Sequence, residues 1–114
     1  MKLVEYSVSW SRWALVDFES IIDYIAEDSL SNAEATYIRI RDAAIRLEKQ
    51  PEIGRIVPEL KSENISIYRE LVVSHWRLIY KISDARVDVM SIIDSRRDID
   101  DALISRMINR TINP

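Results

Sequence analysis

Four arginines in the second half of the chain, Arg69, Arg77, Arg96 and Arg97, are the side chains best suited to chemistry. A guanidinium is permanently charged and offers a flat fork of donors that fits a carboxylate or a phosphate. It can clamp an anion, but it cannot pass a proton at neutral pH. Proton transfer needs a His, Lys, Tyr or carboxyl group of suitable pKa within reach of the reacting atom. The only His is His75, and no Tyr, His or Lys follows Lys81. His75 falls between two alternating segments, where an exposed turn residue is the ordinary reading and a general base the alternative. The chain has no Cys and no second His. Thiolate chemistry, disulfides and Cys/His metal sites are thereby excluded, and neither a metal nor a cofactor is expected. Glu70, Asp94 and Asp98 stand close enough in sequence to hold the arginines as plain ion pairs.

The net charge of −3 over 114 residues argues against a general nucleic-acid binder, which is usually basic. Residues 1–65 sum to −4 and residues 66–114 to +1, so an anionic partner would approach the second half. Trp10, Trp13 and Trp76 could stack bases. For Trp10 and Trp76 a place at the end of a strand favours packing instead, and for Trp13 both readings stay open.

The elements that must position these residues follow from periodicity. Val4, Tyr6, Val8 and Trp10 alternate with Glu5, Ser7 and Ser9, which predicts a strand. Glu5 also interrupts the apolar stretch that a secretion signal would need, so none is expected. Ala14, Phe18, Ile21 and Ile25 recur at helical spacing, widened by Leu15 and Ile22, and predict a helix over residues 12–28. Asp17, Asp23 and Glu27 lie off that stripe and, with Glu34 and Glu48, read as solvated surface. Ser31 and Glu34 have the spacing of a capping box. A second helix is expected from there to about residue 50, with the stripe Ala33, Tyr37, Ile40, Ala44 and Leu47 and a stop at Pro51. Breakers then cluster in residues 51–58, which hold the only Gly, Gly54.

Beyond them the period becomes two. Ile67, Arg69, Leu71 and Val73 form one face of a strand, and Trp76, Leu78, Tyr80 and Ile82 one face of the next. Val87, Val89, Ser91 and Ile93 oppose Asp88, Met90 and Ile92 on a third. Ser83-Asp84-Ala85-Arg86 is a hairpin connection. A last helix is expected over residues 99–112, with Asp98 as its cap and Ile104, Met107 and Ile108 on its apolar side. The expected fold is a single α+β domain over residues 1–114, ordered β-α-α-β-β-β-α. A helical hairpin packs on one face of an antiparallel sheet that includes the first strand. Ile79, Met90 and Ile92 then form a second apolar face that needs cover.

Four strings carry a resemblance. They are Pro51-Glu52-Ile53-Gly54-Arg55 with Pro58-Glu59-Leu60, then Tyr68-Arg69-Glu70-Leu71, then Trp76-Arg77-Leu78-Ile79-Tyr80-Lys81, and Ile92-Ile93-Asp94-Ser95-Arg96-Arg97-Asp98. In this order and on these elements they resemble the RelE/ParE toxins of type II toxin–antitoxin systems. Trp76 stands where the family usually has Tyr, and Asp94 where it usually has His. The long hairpin and the P-x-x-G-R turn are similar to the ParE branch, whose members poison DNA gyrase. RelE-like members cleave messenger RNA on the ribosome.

The resemblance implies a set of roles. RNA cleavage at a 2′-hydroxyl needs a base, an acid and a cation for the phosphate. Arg77 and Arg96 fall at the family's arginine positions, and Arg69 stands at one lysine position. Leu71 or a neighbour replaces the second lysine, and Ala102 or a neighbour the tyrosine. With the proton carriers missing, no catalytic residue is expected. The alternative is an endoribonuclease working through Arg69, Arg77 and Arg96, or an inactive antitoxin-binding relic. In the favoured reading Arg77, Arg96 and Arg97, with the final helix, meet DNA gyrase. A ParD-like antitoxin would cover Ile79, Met90 and Ile92, sharing that surface with the final helix. No apolar run approaches the roughly 20 residues that span a bilayer, so no membrane partner is expected. The charge speaks against direct nucleic-acid binding by the chain alone, and the lack of Cys suits the cytoplasm.

Overall fold

The alternating and helical patterns fold into β1 (Ser7–Trp10), α1 (Arg12–Asp28), α2 (Leu30–Arg46), β2 (Arg55–Ile56), α3 (Pro58–Lys61), β3 (Tyr68–Val73), β4 (Trp76–Ser83) and β5 (Arg86–Asp94). The structure is a computed structural model that describes residues 5–96. Val4, Arg97, Asp98 and the expected final helix, with Ala102, Ile104, Met107 and Ile108, lie outside the described residues.

One residue makes the helical hairpin. Ser29 is extended (φ −156°, ψ 112°) between two helices. Its N–H donates to the Ile25 carbonyl at 3.0 Å and closes α1. Its hydroxyl accepts from the Asn32 N–H at 3.1 Å and opens α2. The cap expected at Ser31 therefore sits two residues earlier, because only Ser29 leaves the helical backbone and can turn its side chain onto a free N–H. Ser31 lies inside α2, within 3.4 Å of the Ser29 hydroxyl. Ser11 caps α1 in the same way, accepting from Ala14 at 3.1 Å.

The sheet runs β1-β5-β4-β3-β2. Strands β2 to β5 pair antiparallel, as the expected meander requires, and β2 adds a fourth strand from the segment read only as breakers. Strand β1 pairs parallel to β5, with Ser7 opposite Arg86 and Trp10 opposite Val89. The sheet is thus mixed, a correction to the all-antiparallel expectation. Side-chain alternation encodes which face a residue occupies, not which way its strand runs. Short hairpin turns force antiparallel neighbours, whereas no turn links β1 to β5. Ser74 and Asp84, both at positive φ, sit in the two-residue turns before β4 and β5.

The main core lies between the hairpin and the sheet. Ala14, Ile40, Ala44 and Leu47 meet Leu78, Tyr80, Val87, Val89 and Ile92, and Tyr6, Val8, Trp10, Phe18 and Trp76 pack at its margin. Leu15, placed on the stripe, is exposed, and so is Tyr37. On the opposite face Val57, Leu60, Tyr68, Ile79, Met90 and Ile93 form a second cluster, with Ile65 against it.

A bulge decides the membership of the two clusters. Ile79 pairs with Ser91 but Tyr80 with Val89, so Met90 is an extra residue in β5. One inserted residue reverses the facing of everything after it. Ile92 therefore joins Val87 and Val89 under the hairpin, and Ile93 joins Met90 and Ile79. The single face expected to carry Ile79, Met90 and Ile92 is split across the sheet. Helix α1 satisfies the groups that the bulge displaces. The Ser11 hydroxyl donates to the Met90 carbonyl at 3.0 Å. Asp17 Oδ2 accepts the Ile92 N–H at 3.0 Å and the Ser91 hydroxyl at 2.8 Å. Asp17, expected among solvated acids, instead pins the helix to the strand. Among the described residues no helix is long and apolar enough to cross a membrane.

Candidate functional site

Strand register brings the charged residues together. Arg55 lies opposite Glu70. Arg77 lies on the same face as Glu70 and diagonal to it, since Glu70 opposes Ile79 and Arg77 opposes Val72. Glu70 is 1% exposed and bridges the two arginines. Its Oε2 accepts from Arg55 Nε at 2.8 Å and its Oε1 from Arg77 Nε at 2.8 Å. Glu59, on α3, takes the other end of the Arg77 fork. Arg77 Nη1 and Nη2 donate to its two oxygens, each at 2.7 Å. Each of the three Arg77 nitrogens thus donates to a carboxylate. The bond to Glu59 and then the attraction of Glu70, against the opposing effect of burial, hold the guanidinium well above its ordinary pKa.

Proline and a left-handed residue hold α3 in place. Pro58 starts the helix, where a missing N–H costs nothing. Asn64 ends the turn at φ 63°. The Ile65 N–H reaches back to the Leu60 carbonyl at 2.8 Å, and Ile65 packs on the cluster that contains Leu60. This anchor sets Glu59 over Arg77.

The turn before β2 is held from the hairpin side of the sheet. The Tyr80 hydroxyl accepts the Gly54 N–H at 2.9 Å and donates to the Pro51 carbonyl at 2.7 Å. Arg69 Nη1 donates to the Gly54 carbonyl at 2.8 Å and to that of Glu52 at 3.3 Å. Burial pushes the Tyr80 hydroxyl pKa up, against the opposing Gly54 bond. Gly54 is required by space. A Cβ there would stand 2.5 Å from the Glu70 carbonyl oxygen and 2.6 Å from the Tyr80 hydroxyl.

Each residue singled out in the sequence has a definite place. Arg69 opposes Tyr80 and points to the Gly54 turn, whereas Arg77 lies on the other face with Glu70. The alternative set Arg69, Arg77 and Arg96 does not converge. Arg96 follows β5 with its side chain 84% exposed and is paired to Asp94 through Nε at 2.9 Å and Nη2 at 2.6 Å. That pairing holds Asp94 below the usual carboxylate range. His75 is exposed in the β3–β4 turn, and its carbonyl accepts from the Ser95 N–H. Ile79, Met90 and Ile92 are all buried. Trp10 stacks on Phe18, and Phe18 on Tyr37, at ring separations of 5.3 and 5.2 Å. Trp13 is exposed.

Sequence reasoning missed the roles of Glu59, Tyr80 and Asp17. Glu59 and Tyr80 were in view inside the quoted strings, but their bonds span 18 and 29 residues. No local pattern records such a pairing.

A cleft of about 440 Å³ opens beside this network, lined by Arg55, Pro58, Glu59, Val72, Arg77 and Ser95. No His, Lys or Tyr is among its lining residues, and Glu59 and Glu70 balance its two arginines. It can hold charge in place but offers no neutral-pH proton carrier of those types. Among the described residues no group of three His, Cys, Asp or Glu could hold a metal ion.

Comparison with known proteins gives a consistent picture. The family model described as the ParE toxin of type II toxin-antitoxin system, parDE, matches residues 8–99. The fold is similar to a structure of the chromosomal ParDE toxin–antitoxin system from P. aeruginosa, with a TM-score of 0.64, 17% identity and coverage of 79% of this chain and 96% of that one. It is also similar to a chain of the RelBE2 toxin–antitoxin complex from Mycobacterium tuberculosis, with a TM-score of 0.54, 20% identity and coverage of 82% and 94%. No curated protein sequence matches it.

Proposed function

This chain belongs to the ParE toxin family of type II toxin–antitoxin systems, and from that membership we propose that it acts by binding DNA gyrase and not by cutting RNA. One observation carries the reading. Arg77, which falls at one of the family's arginine positions, is held by two carboxylates, and among the described residues that line its cleft none is His, Lys or Tyr. A phosphate there would have to displace Glu59.

In this reading Arg96, exposed at the end of β5, presents charge to gyrase together with Arg97 and the residues that follow. Arg77 acts behind them by fixing α3 to the sheet. The neutralising partner is a ParD-like antitoxin, in keeping with the ParDE system whose fold this chain shares. Antitoxin contact at Ile79, Met90 and Ile92 requires the antitoxin to enter packed layers, because all three are buried. Such entry changes amide exchange in β4 and β5. A gyrase target implies a cytoplasmic site of action.

Purified chain is expected to inhibit gyrase supercoiling and to leave ribosome-bound message uncut in primer extension. Cleavage at any codon would move the assignment to a RelE-like ribonuclease. Neither effect, with undiminished growth on induction, would mark an inactive antitoxin-binding relic.

A further inference from the structure

We propose that Arg77 and Arg55 form an oxyanion seat in the α3 cleft, and that Glu59 is its resident occupant, blocking the seat from within the same chain. Glu59 grips Arg77 through two parallel bonds of 2.7 Å, Nη1 to Oε2 and Nη2 to Oε1. This is the geometry in which a guanidinium takes a free carboxylate or two oxygens of a phosphate. Glu70 is fully buried and already shared by Arg55 and Arg77. Without Glu59 those three residues carry one net positive charge.

The positions fit a seat. Arg55 is 63% exposed at the cleft and Glu59 is 23% exposed, whereas Arg77 is nearly buried behind them. Val72 and Ser95 also line this open cleft of about 440 Å³. Glu59 rides on a four-residue helix, so an anion replaces it by moving one side chain or one turn. Being tethered, Glu59 competes at an effective concentration of millimolar order or above, which keeps small anions out of the parent chain. The ligand class is an oxyanion with two oxygens able to span the fork. This inference draws on the same Arg77–Glu59 pair as the gyrase reading, but its test reads anion affinity and not gyrase or ribosome activity, so the two fail separately.

The test uses the whole chain and its variants Glu59→Ala and Glu59→Gln. Inorganic phosphate and, separately, acetate are titrated at constant ionic strength while the Arg77 Nε–Hε resonance is followed by NMR. Circular dichroism confirms folding of both variants. Phosphate is expected to shift that resonance saturably in both, with affinity roughly tenfold or more above the parent. Preference for acetate over phosphate would mark a carboxylate seat, and the reverse a phosphate seat. Adding Arg55→Ala to Glu59→Ala is expected to return affinity toward the parent value. The proposal is overturned if neither folded variant binds phosphate or acetate more tightly than the parent, or if the parent binds as well as they do.

Discussion

Glu70 shows how much can depend on one side chain. It is buried between two guanidiniums and satisfies both. Without it Arg77 loses the acceptor of its Nε but keeps both bonds to Glu59, and Arg55 is exposed. The cost is that of a buried donor left unmet, about 1–3 kcal/mol. Glu70→Ala is therefore expected to lower unfolding free energy by about that much in urea titration, whereas Arg96→Ala, which removes an exposed pair, should leave the urea midpoint nearly unchanged. Tyr80 offers a pH signature. Tyr80→Phe leaves the Gly54 N–H and Pro51 carbonyl unpaired, at a cost of about 1–3 kcal/mol near neutrality. Burial raises the Tyr80 pKa in the folded chain. The folded state thus holds its proton to higher pH than the unfolded state does. The stability that goes with it is complete below the ordinary tyrosine range near 10 and declines as pH climbs through the raised value. The alkaline fall in stability is expected to be shallower in Tyr80→Phe, and an unchanged slope would remove this assignment.

At the scale of elements, the one-residue junction at Ser29 and the bulge at Met90 are the decisive local devices. Ser29→Ala removes a helix cap and is expected to lower thermal stability, by about 1 kcal/mol. Ser31→Ala, inside α2, should change it by less than about 0.5 kcal/mol. Equal losses would restore Ser31 as the cap. The bulge couples β5 to α1 through Asp17. Asp17→Ala strips an acceptor from the Ile92 N–H and the Ser91 hydroxyl. Amide exchange at Ile92 is expected to accelerate well before global unfolding does. Unaltered protection at that amide would show that the contact does not hold the strand.

For the whole molecule, the two faces of the sheet divide the work. The hairpin side holds the larger core, and the other side holds the charge network, the cleft and the route to Arg96. Because Arg96 is exposed, Arg96→Glu should leave the melting temperature within a few degrees of the parent. In the gyrase reading it weakens inhibition of supercoiling. Full inhibition by the folded variant would take Arg96 out of the target surface.

Chain order, the two long helices, the three meander strands and their turns were legible in the sequence, because burial on one face writes a period of 3.6 or 2 into neighbouring residues. The four strings also identified the family before any contact was known. What needed the tertiary structure was everything decided between distant residues. The direction of β1 and the short β2 belong here, as does the parity reversal that parts Ile92 from Met90. So does the capture of Arg77 by Glu59 and Glu70. A periodic pattern reports the surroundings of a single element. A register shift or an ion pair depends on where a second element comes to lie, and the chain between Glu59 and Arg77 leaves no trace of that in the local order of side chains.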